Sequence, residues 1–250
     1  MEHRLEELLT AMTSPDPKVR DGWAYQELAQ GILSGLWDSS LPTIEARAVE
    51  HLNHPDIQAR SFAPLILCWV IQAGGGSRHA FEACRSWYLQ EEDNRAYDPR
   101  LGWLHAVAHG ADCLAEYVRV GLAEPTEVLE TLAQKLVTSD QPWSQQEEAR
   151  LVRAVKVSLS GDTQATAQPW FNVLEEAIKT AEQAETIGAS PVWFSNLRSV
   201  LSLSYVTAAE ALTQGSSQLT KRQEKSLQEG SLRLLTFLLP WLLSPEEESR

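Results

Sequence analysis

The sequence predicts an all-α protein, a right-handed α-solenoid of stacked antiparallel helix pairs. Apolar residues recur at helical spacing in nearly every segment, and no run alternates with a period of two. Proline and glycine interrupt the chain at short intervals, with short loops between the interrupted segments. A sequence pattern also recurs in the first half of the chain. Together these observations predict about eleven helices in one helical-repeat domain that spans residues 1–250.

Proline, glycine and capping residues predict where the helices begin and end. A first helix ends before the proline-rich residues 14–17, because proline cannot continue a helix interior. Starts with recognisable signals are expected at Pro17, Pro42, Pro55, Ser77, Asp98–Pro99, Pro125, Pro169 and Ser190–Pro191. Two capping boxes add starts at Ser144–Glu147 and Thr220–Gln223. The helix that begins at Asp98 is expected to continue to Gly121.

An internal repeat is the strongest architectural signal. The string PDPKVR begins at Pro15 and PDIQAR begins at Pro55, an offset of 40 residues, and RLGW at Arg100 repeats RDGW at Arg20. Helix pairs with this period are typical of HEAT- and ARM-like repeats, which bury their apolar faces only against their neighbours. We therefore expect the clearest repeats over residues 1–120, further helix pairs over 121–244 and a disordered acidic tail over 245–250.

The amino-acid composition argues against some classes of function and indicates a cellular compartment. The chain has 21 Lys and Arg against 34 Asp and Glu, a formal charge of −13, which opposes binding to nucleic acids and anionic membranes. Its longest apolar run is shorter than the roughly 20 residues that span a bilayer. The charged N-terminus does not match an export signal. The three cysteines are distant in sequence, as in a reduced protein, so we expect a cytoplasmic protein.

Three segments carry a resemblance to a known family. They are RSFAPLILCWV at 60–70, EEDNRAYDPRLGWLHAVAHGADCLAEYV at 91–118 and QEEARLVRAV at 146–155, and the most specific part is GWxHxxAH followed by Asp112. Together with RDGWAYQEL at 20–28, they resemble the bacterial family called domain of unknown function 2785 over most of residues 1–155. Ala96 stands where the family has glycine, and Pro64 is a second departure. The resemblance implies a helical-repeat fold and no particular activity.

His105, His109 and Asp112 are spaced to share one face of the predicted helix. Imidazole and carboxylate ligands suit zinc or another divalent metal, with Asp93, Asp98, His79 or Glu148 as candidates for a fourth ligand. The alternative is a hydrogen-bonded pair of histidines between helices, in which Asp112 fixes one tautomer.

The repeat also predicts a binding groove and a network of charged turns. Trp23 and Trp103 occupy equivalent repeat positions. Beside the groove residues Tyr25, His105, His109 and Asp112, they suit a peptide or small ligand. Salt bridges between consecutive repeats are expected from Asp16, Arg20, Asp56, Arg60, Asp93, Arg95 and Arg100.

The chain lacks the motifs of common enzymes. We find no GxSxG, no P-loop and no GxGxxG. The leading hypothesis is therefore a non-enzymatic scaffold that binds a protein or peptide without a cofactor. The alternative is a metal-binding protein or metal-dependent hydrolase centred on the HxxxHxxD pattern, with a divalent metal such as zinc, and a third possibility is a sensor of a small ligand.

Overall fold

The computed structural model describes residues 2–183, 190–215 and 217–243. Helices dominate these residues, which confirms the all-α prediction. The α-helices are α1 (Glu2–Ala11), α2 (Pro17–Val19), α3 (Tyr25–Leu33), α4 (Leu41–His51), α5 (Ile57–Gln72), α6 (Arg78–Gln90), α7 (Ala106–Arg119), α8 (Pro125–Thr138), α9 (Glu147–Ser160), α10 (Gln168–Gln183), α11 (Val192–Gln214), α12 (Lys221–Leu238) and α13 (Pro240–Leu243). A 3-10 turn covers Asp38–Ser40. The predicted acidic tail at 245–250 lies outside the described residues.

A π-helical turn joins the second and third helices. Arg20–Ala24 form this turn between α2 and α3, so residues 17–33 make one continuous helix. Asp16 caps its start by accepting a hydrogen bond from the backbone N–H of Lys18 at 2.9 Å, and Pro17 takes the first helical position. With residues 17–33 taken as one helix, the described part of the chain has twelve α-helices.

The helix predicted to start at Asp98 begins later than expected. Tyr97–Asp98 (β1) pairs antiparallel with Gly102–Trp103 (β2), and α7 starts only at Ala106. The carboxylate of Asp98 accepts hydrogen bonds from the N–H groups of Arg100 and Leu101, so it caps a turn between two strands and not a helix. A φ of +76° at Gly102 also takes the backbone out of the helical region. The prediction of a helix from Asp98 is therefore wrong up to residue 105, and the predicted helix forms only from Ala106 to Arg119.

The capping box predicted at Ser144–Glu147 is also displaced. Helix α9 begins at Glu147, and its N-cap is Gln146 in the left-handed conformation, with φ of +71°. The Glu147 carboxylate accepts from the backbone N–H groups of Ser144 and Gln145, which precede the helix. The second box, from Thr220 to Gln223, is present as predicted at the start of α12.

The helices pack in two rows. One row consists of α3, α5, α7, α9 and α11, each in contact with the next, and the other of α4, α6, α8 and α10. Contacts between the rows join α4 to α5, α6 to α7 and α8 to α9, while α11 packs on α12. Helix α7 lies between α5 and α9, and all of its residues from Ala106 to Val118 are buried. It forms the centre of the core.

Small residues let α6 approach α7 closely. A Cβ atom added to Gly110 would lie 2.2 Å from the ring of Tyr88.

The three free cysteines are buried on α5, α6 and α7, and the Cys113 thiol neighbours those of Cys68 and Cys84 although they are distant in sequence. Burial, followed by these neighbouring thiols, raises the pKa of Cys113. Among the described helices, none is long and apolar enough to cross a membrane.

Candidate functional site

A buried arginine holds the β-hairpin in place. The guanidinium of Arg20 is fully buried, and its Nη2 donates to the carbonyl oxygens of Leu101 at 2.6 Å and Trp103 at 3.4 Å. Its Nε donates to the neighbouring carboxylate of Asp21 at 2.6 Å. The same guanidinium lies over the ring of Phe62, 4.6 Å from the centroid. Arg20 therefore links the π-helical turn to Phe62 of α5 and to two backbone carbonyl oxygens of the hairpin, those of Leu101 and Trp103.

Seven rings form a continuous chain from α3 and α5 to the hairpin. Neighbouring centroids are between 4.6 and 6.1 Å apart. In order, this aromatic chain consists of Trp69, Tyr25, Phe62, His109, His105, Trp103 and Tyr97. Trp69 is only 8% exposed, whereas Trp103 and Tyr97 are 45% and 51% exposed. The chain therefore runs from the core to the surface.

His105 is the N-cap of α7 and has an unusual backbone conformation. Its φ of +49° and ψ of +36° place it in the left-handed region. Its Nδ1 lies 3.0 Å from Oε1 of Glu147, and its ring stacks on Trp103 at 4.7 Å with an interplanar angle of 4°. Because a carboxylate only accepts, Nδ1 carries the hydrogen. Burial alone would raise the pKa of Glu147, but hydrogen bonds from His105 and the backbone outweigh burial and lower it.

His109 is buried next to His105, with ring centroids 5.8 Å apart. Its Nδ1 lies 2.9 Å from the carbonyl oxygen of Ser61. A carbonyl also only accepts, so Nδ1 of His109 carries a hydrogen too. Burial lowers the pKa of His109 to about 3, and the side chain is therefore neutral near pH 7. The tautomers of the two histidines are fixed by Glu147 and Ser61, and not by Asp112 as the sequence suggested.

Asp112 is occupied by two arginines from α9. Arg150 binds its Oδ2, and Nη1 of Arg153 lies 2.9 Å from its Oδ1. Both guanidinium groups are about half exposed, while the carboxylate is 9% exposed. His105 is the left-handed N-cap that precedes the helix, so of the three residues only His109 and Asp112 lie within α7. In the described ranges, no three or more His, Cys, Asp or Glu side chains are grouped as a metal site.

In the described residues, the other candidate ligands are not grouped with the two histidines as a metal site. Asp93 and Asp98 both pair with Arg95, His79 is exposed on α6, and Glu148 follows Glu147 in the first turn of α9. The indole N–H of Trp23 donates to Glu27 at 2.7 Å, on the side of the helix that faces α1. Trp23 is therefore not part of the aromatic chain, although Trp103, its repeat equivalent, is.

The predicted turn network forms with different partners. Arg20 does not pair with Asp16, and Arg60 pairs with Glu91 at 2.6 Å and not with Asp56. Each arginine instead donates to the carbonyl oxygen six residues before it, Ser14 for Arg20 and His54 for Arg60. The offset of 40 residues thus survives as a repeated side-chain-to-backbone contact. Arg95 pairs within the predicted cluster, and Arg100 is exposed.

Sequence reasoning did not predict the partners of the cations along α9, although Glu147, Glu148 and Arg150 were expected to extend the charged network. Arg150 and Arg153 bind Asp112 of α7, and Lys156 binds the buried carboxylate of Glu224 in α12 at 3.0 Å. The spacing of three residues between these cations places them along one helical face. That spacing was the available signal, but their partners lie on other helices.

The site joins the most specific segment of the family resemblance to a second of its segments. Residues 91–118 contribute the hairpin, both histidines and Asp112, and residues 146–155 contribute Glu147, Arg150 and Arg153. The fold and site define an all-α protein in which a short hairpin exposes two aromatic rings next to a polar cluster. This polar cluster consists of His105, His109, Asp112 and Glu147.

Comparison with models of known protein families supports the family resemblance found in the sequence. The model of a family described as protein of unknown function (DUF2785) matches residues 48–206, more than half of the chain. The chain therefore belongs to that family, whose match extends beyond residue 155 and does not include the first 47 residues. Searches of curated proteins and of solved structures found no match.

Proposed function

We propose that the protein is a non-enzymatic binding module, a HEAT-like α-solenoid of one domain that takes a protein or peptide partner. The two rows of helices, in which α3, α5, α7, α9 and α11 follow each other and pair with the second row, support the solenoid assignment. The repeated contacts of Arg20 and Arg60 with the turns before them support a repeat origin. The free, buried thiols support a reducing compartment, the cytoplasm.

The exposed end of the aromatic chain is the observation that carries the proposal. One face of the Trp103 indole is stacked on His105, and Tyr97 meets it edge-on at a centroid distance of 5.1 Å. The Nη2 atom of Arg20 donates a hydrogen bond to the backbone carbonyl oxygen of Trp103. Two large aromatic side chains are thus about half exposed yet held in position before any partner arrives. Binding to such a surface costs little side-chain entropy, and Trp and Tyr commonly dominate interface energies.

The chemistry of the surface indicates the kind of partner. The exposed parts of the Trp103 and Tyr97 rings suit an apolar or aromatic side chain of an extended peptide. The charge of −13 disfavours nucleic acid. A protein or peptide segment with an aromatic or aliphatic anchor is therefore the proposed ligand.

A selection from a random peptide display library tests the proposal. The immobilised wild-type protein is compared with Trp103→Ala and with the matched control Trp241→Ala, whose indole is 80% exposed on α13. We expect wild type and Trp241→Ala to enrich the same peptides and Trp103→Ala to bind them at least tenfold more weakly. The proposal fails if wild type enriches no peptide, or if Trp103→Ala binds the enriched peptides equally well. Circular dichroism and thermal unfolding verify that both variants are folded.

A further inference from the structure

We infer that His105 and His109 together form a binding site for one borderline divalent cation such as Zn²⁺. This inference is independent of peptide binding and concerns the buried side of the aromatic chain. It follows from which ring nitrogens are free, how far apart the rings are and what holds them.

Each histidine has one nitrogen committed and one available. A neutral imidazole carries one N–H and one lone pair. The N–H of His105 is directed to the carboxylate of Glu147 at 3.0 Å, and that of His109 to the carbonyl oxygen of Ser61 at 2.9 Å. In both rings the lone pair is therefore on Nε2. Two electron-pair donors of the kind that Zn²⁺ prefers are present in adjacent residues of one cluster.

The separation of the rings is compatible with a shared ion. Zinc–nitrogen bonds are about 2.0–2.1 Å, which puts each ring centre roughly 3 Å from the metal and two such centres about 5–6 Å apart. The observed centroids are 5.8 Å apart, with an interplanar angle of 61°. The rings are neither stacked face to face nor too distant to ligate together.

The groups behind the two rings are those that usually accompany metal-binding histidines. Such histidines donate their second N–H to a carboxylate or a backbone carbonyl, which orients the ring and raises its basicity. Glu147, 1% exposed, and Ser61 supply one of each. His105 is further held by stacking on Trp103 and occupies the left-handed region, an uncommon conformation for a non-glycine residue.

The remaining ligands would come from outside this cluster. Asp112 is bound by Arg150 and Arg153, and the described residues contain no group of three or more ligating side chains. The protein therefore contributes two neutral nitrogens, and water or atoms of a bound molecule complete the coordination. Nitrogen ligands favour Zn²⁺, Cu²⁺ or Ni²⁺ over Mg²⁺ and Ca²⁺, which prefer oxygen.

Calorimetric titration of untagged protein with ZnCl₂ tests the site. Wild type is compared with His105→Ala, with His109→Ala and with the control His79→Ala, which removes an exposed histidine on α6. We expect one Zn²⁺ per chain, with at least tenfold weaker binding in His105→Ala and His109→Ala and unchanged binding in His79→Ala. Glu147→Gln is expected to weaken binding by about tenfold because it removes the charge behind His105. Absence of saturable binding, or equal binding in all histidine variants, would overturn the inference.

Because His109 is buried, its alanine variant can lose the fold, so a measurement on wild type accompanies the titration. Long-range proton–nitrogen NMR spectra identify which nitrogen of each ring carries hydrogen. We expect Nδ1–H in both rings and a shift of both Nε2 resonances when Zn²⁺ is added. Nε2–H tautomers, or Nε2 resonances that do not respond to Zn²⁺, contradict the site. Peptide binding measured with EDTA present separates this result from the proposed function.

Discussion

The Nδ1 atom of His105 lies 3.0 Å from the Oε1 atom of Glu147 and thereby links the start of α7 to the start of α9. The helix N-caps on both sides of this hydrogen bond have positive φ, +49° at His105 and +71° at Gln146. In the described part of the chain, these are the two non-glycine residues with positive φ. Backbone strain of this kind is concentrated at functional sites, where surrounding contacts hold it. The strain therefore marks the same place as the aromatic chain and the polar cluster.

Relief of this strain provides a first prediction. A left-handed backbone destabilises a non-glycine residue by about 1–2 kcal/mol, a strain that glycine does not have. Glycine in turn lowers the free energy of unfolding by roughly 0.5–1 kcal/mol, because it gains more conformational freedom when the chain unfolds. Gln146→Gly, at an exposed side chain, is therefore expected to stabilise the protein by about 0.5–1 kcal/mol. Urea unfolding measures the change. The neighbouring Gln145→Gly is the control, without a positive φ to relieve, and equal effects in both variants would contradict the backbone assignment.

Arg20 is expected to be essential for the hairpin. Arg20→Met removes the donor to the carbonyl oxygens of Leu101 and Trp103 and leaves Asp21 without its partner. Leaving a buried acceptor unpaired costs about 1–3 kcal/mol, and the loss at Asp21 adds less because that carboxylate is 30% exposed. Arg100→Met changes an exposed arginine of the same hairpin and is expected to shift the unfolding free energy by less than about 0.5 kcal/mol. Similar unfolding free energies for the two variants would show that Arg20 does not fix the hairpin.

The contact between α6 and α7 depends on glycine. A Cβ at Gly110 would meet the ring of Tyr88 at 2.2 Å, and because the ring is buried it cannot move aside freely. We expect Gly110→Ala to destabilise the protein by about 1–3 kcal/mol, as overpacking does in other cores. Gly22→Ala, where the nearest atom to a new Cβ is 4.0 Å away, is the matched control and is expected to be neutral or slightly stabilising. Thermal unfolding distinguishes them, and a neutral Gly110→Ala would contradict the packing.

Acid destabilisation is expected to include a contribution from His51. Burial, followed by the charge of Arg47, lowers the pKa of His51 from 6.5 to about 4. Between pH 6.5 and pH 4, His51 is protonated in the unfolded chain but neutral in the folded protein. The contribution of neutral His51 to the free energy of unfolding is therefore fully present above pH 6.5 and is lost as the pH falls towards 4. The full effect is at most about 3 kcal/mol.

The variant His51→Gln separates this contribution from those of other groups. Unfolding free energies between pH 7 and pH 4 are expected to fall less steeply for His51→Gln than for wild type, whereas the exposed-site control His79→Gln keeps the wild-type slope. His109, whose pKa is about 3, leaves part of the slope in every variant. Identical slopes in all three proteins would exclude a neutral, buried His51.

Local signals in the sequence predicted most helices but not the hairpin. Pro17, Pro125 and the box at Thr220 lie at or next to helix starts because their effects depend on the nearest few residues. Asp98 followed by proline is an equally good signal for a turn, and the interaction of Arg20 with Leu101, 81 residues apart, stabilises the turn that Asp98 caps. Tertiary contacts therefore overrode the local preference.

The candidate site was predicted in part for the same reason. His105 and His109 were expected to be neighbours, and their rings are 5.8 Å apart, although His105 lies before the helix. The partners Glu147 and Ser61 are 42 and 48 residues away from them and become neighbours only through the packing of α9 and α5 on α7. No spacing rule along the chain connects residues on three different helices.

The most direct test of the binding surface is the response of the Trp103 indole N–H to a selected peptide in NMR spectra of nitrogen-15-labelled protein. Its resonance is assigned by its loss in Trp103→Phe, and that of Trp241 by its loss in Trp241→Phe. We predict that a peptide enriched by wild type shifts or broadens the Trp103 signal in proportion to saturation and leaves the Trp241 signal unchanged. A peptide that binds without moving Trp103, or that moves Trp241 instead, would contradict the assignment of the exposed end of the aromatic chain as the binding surface.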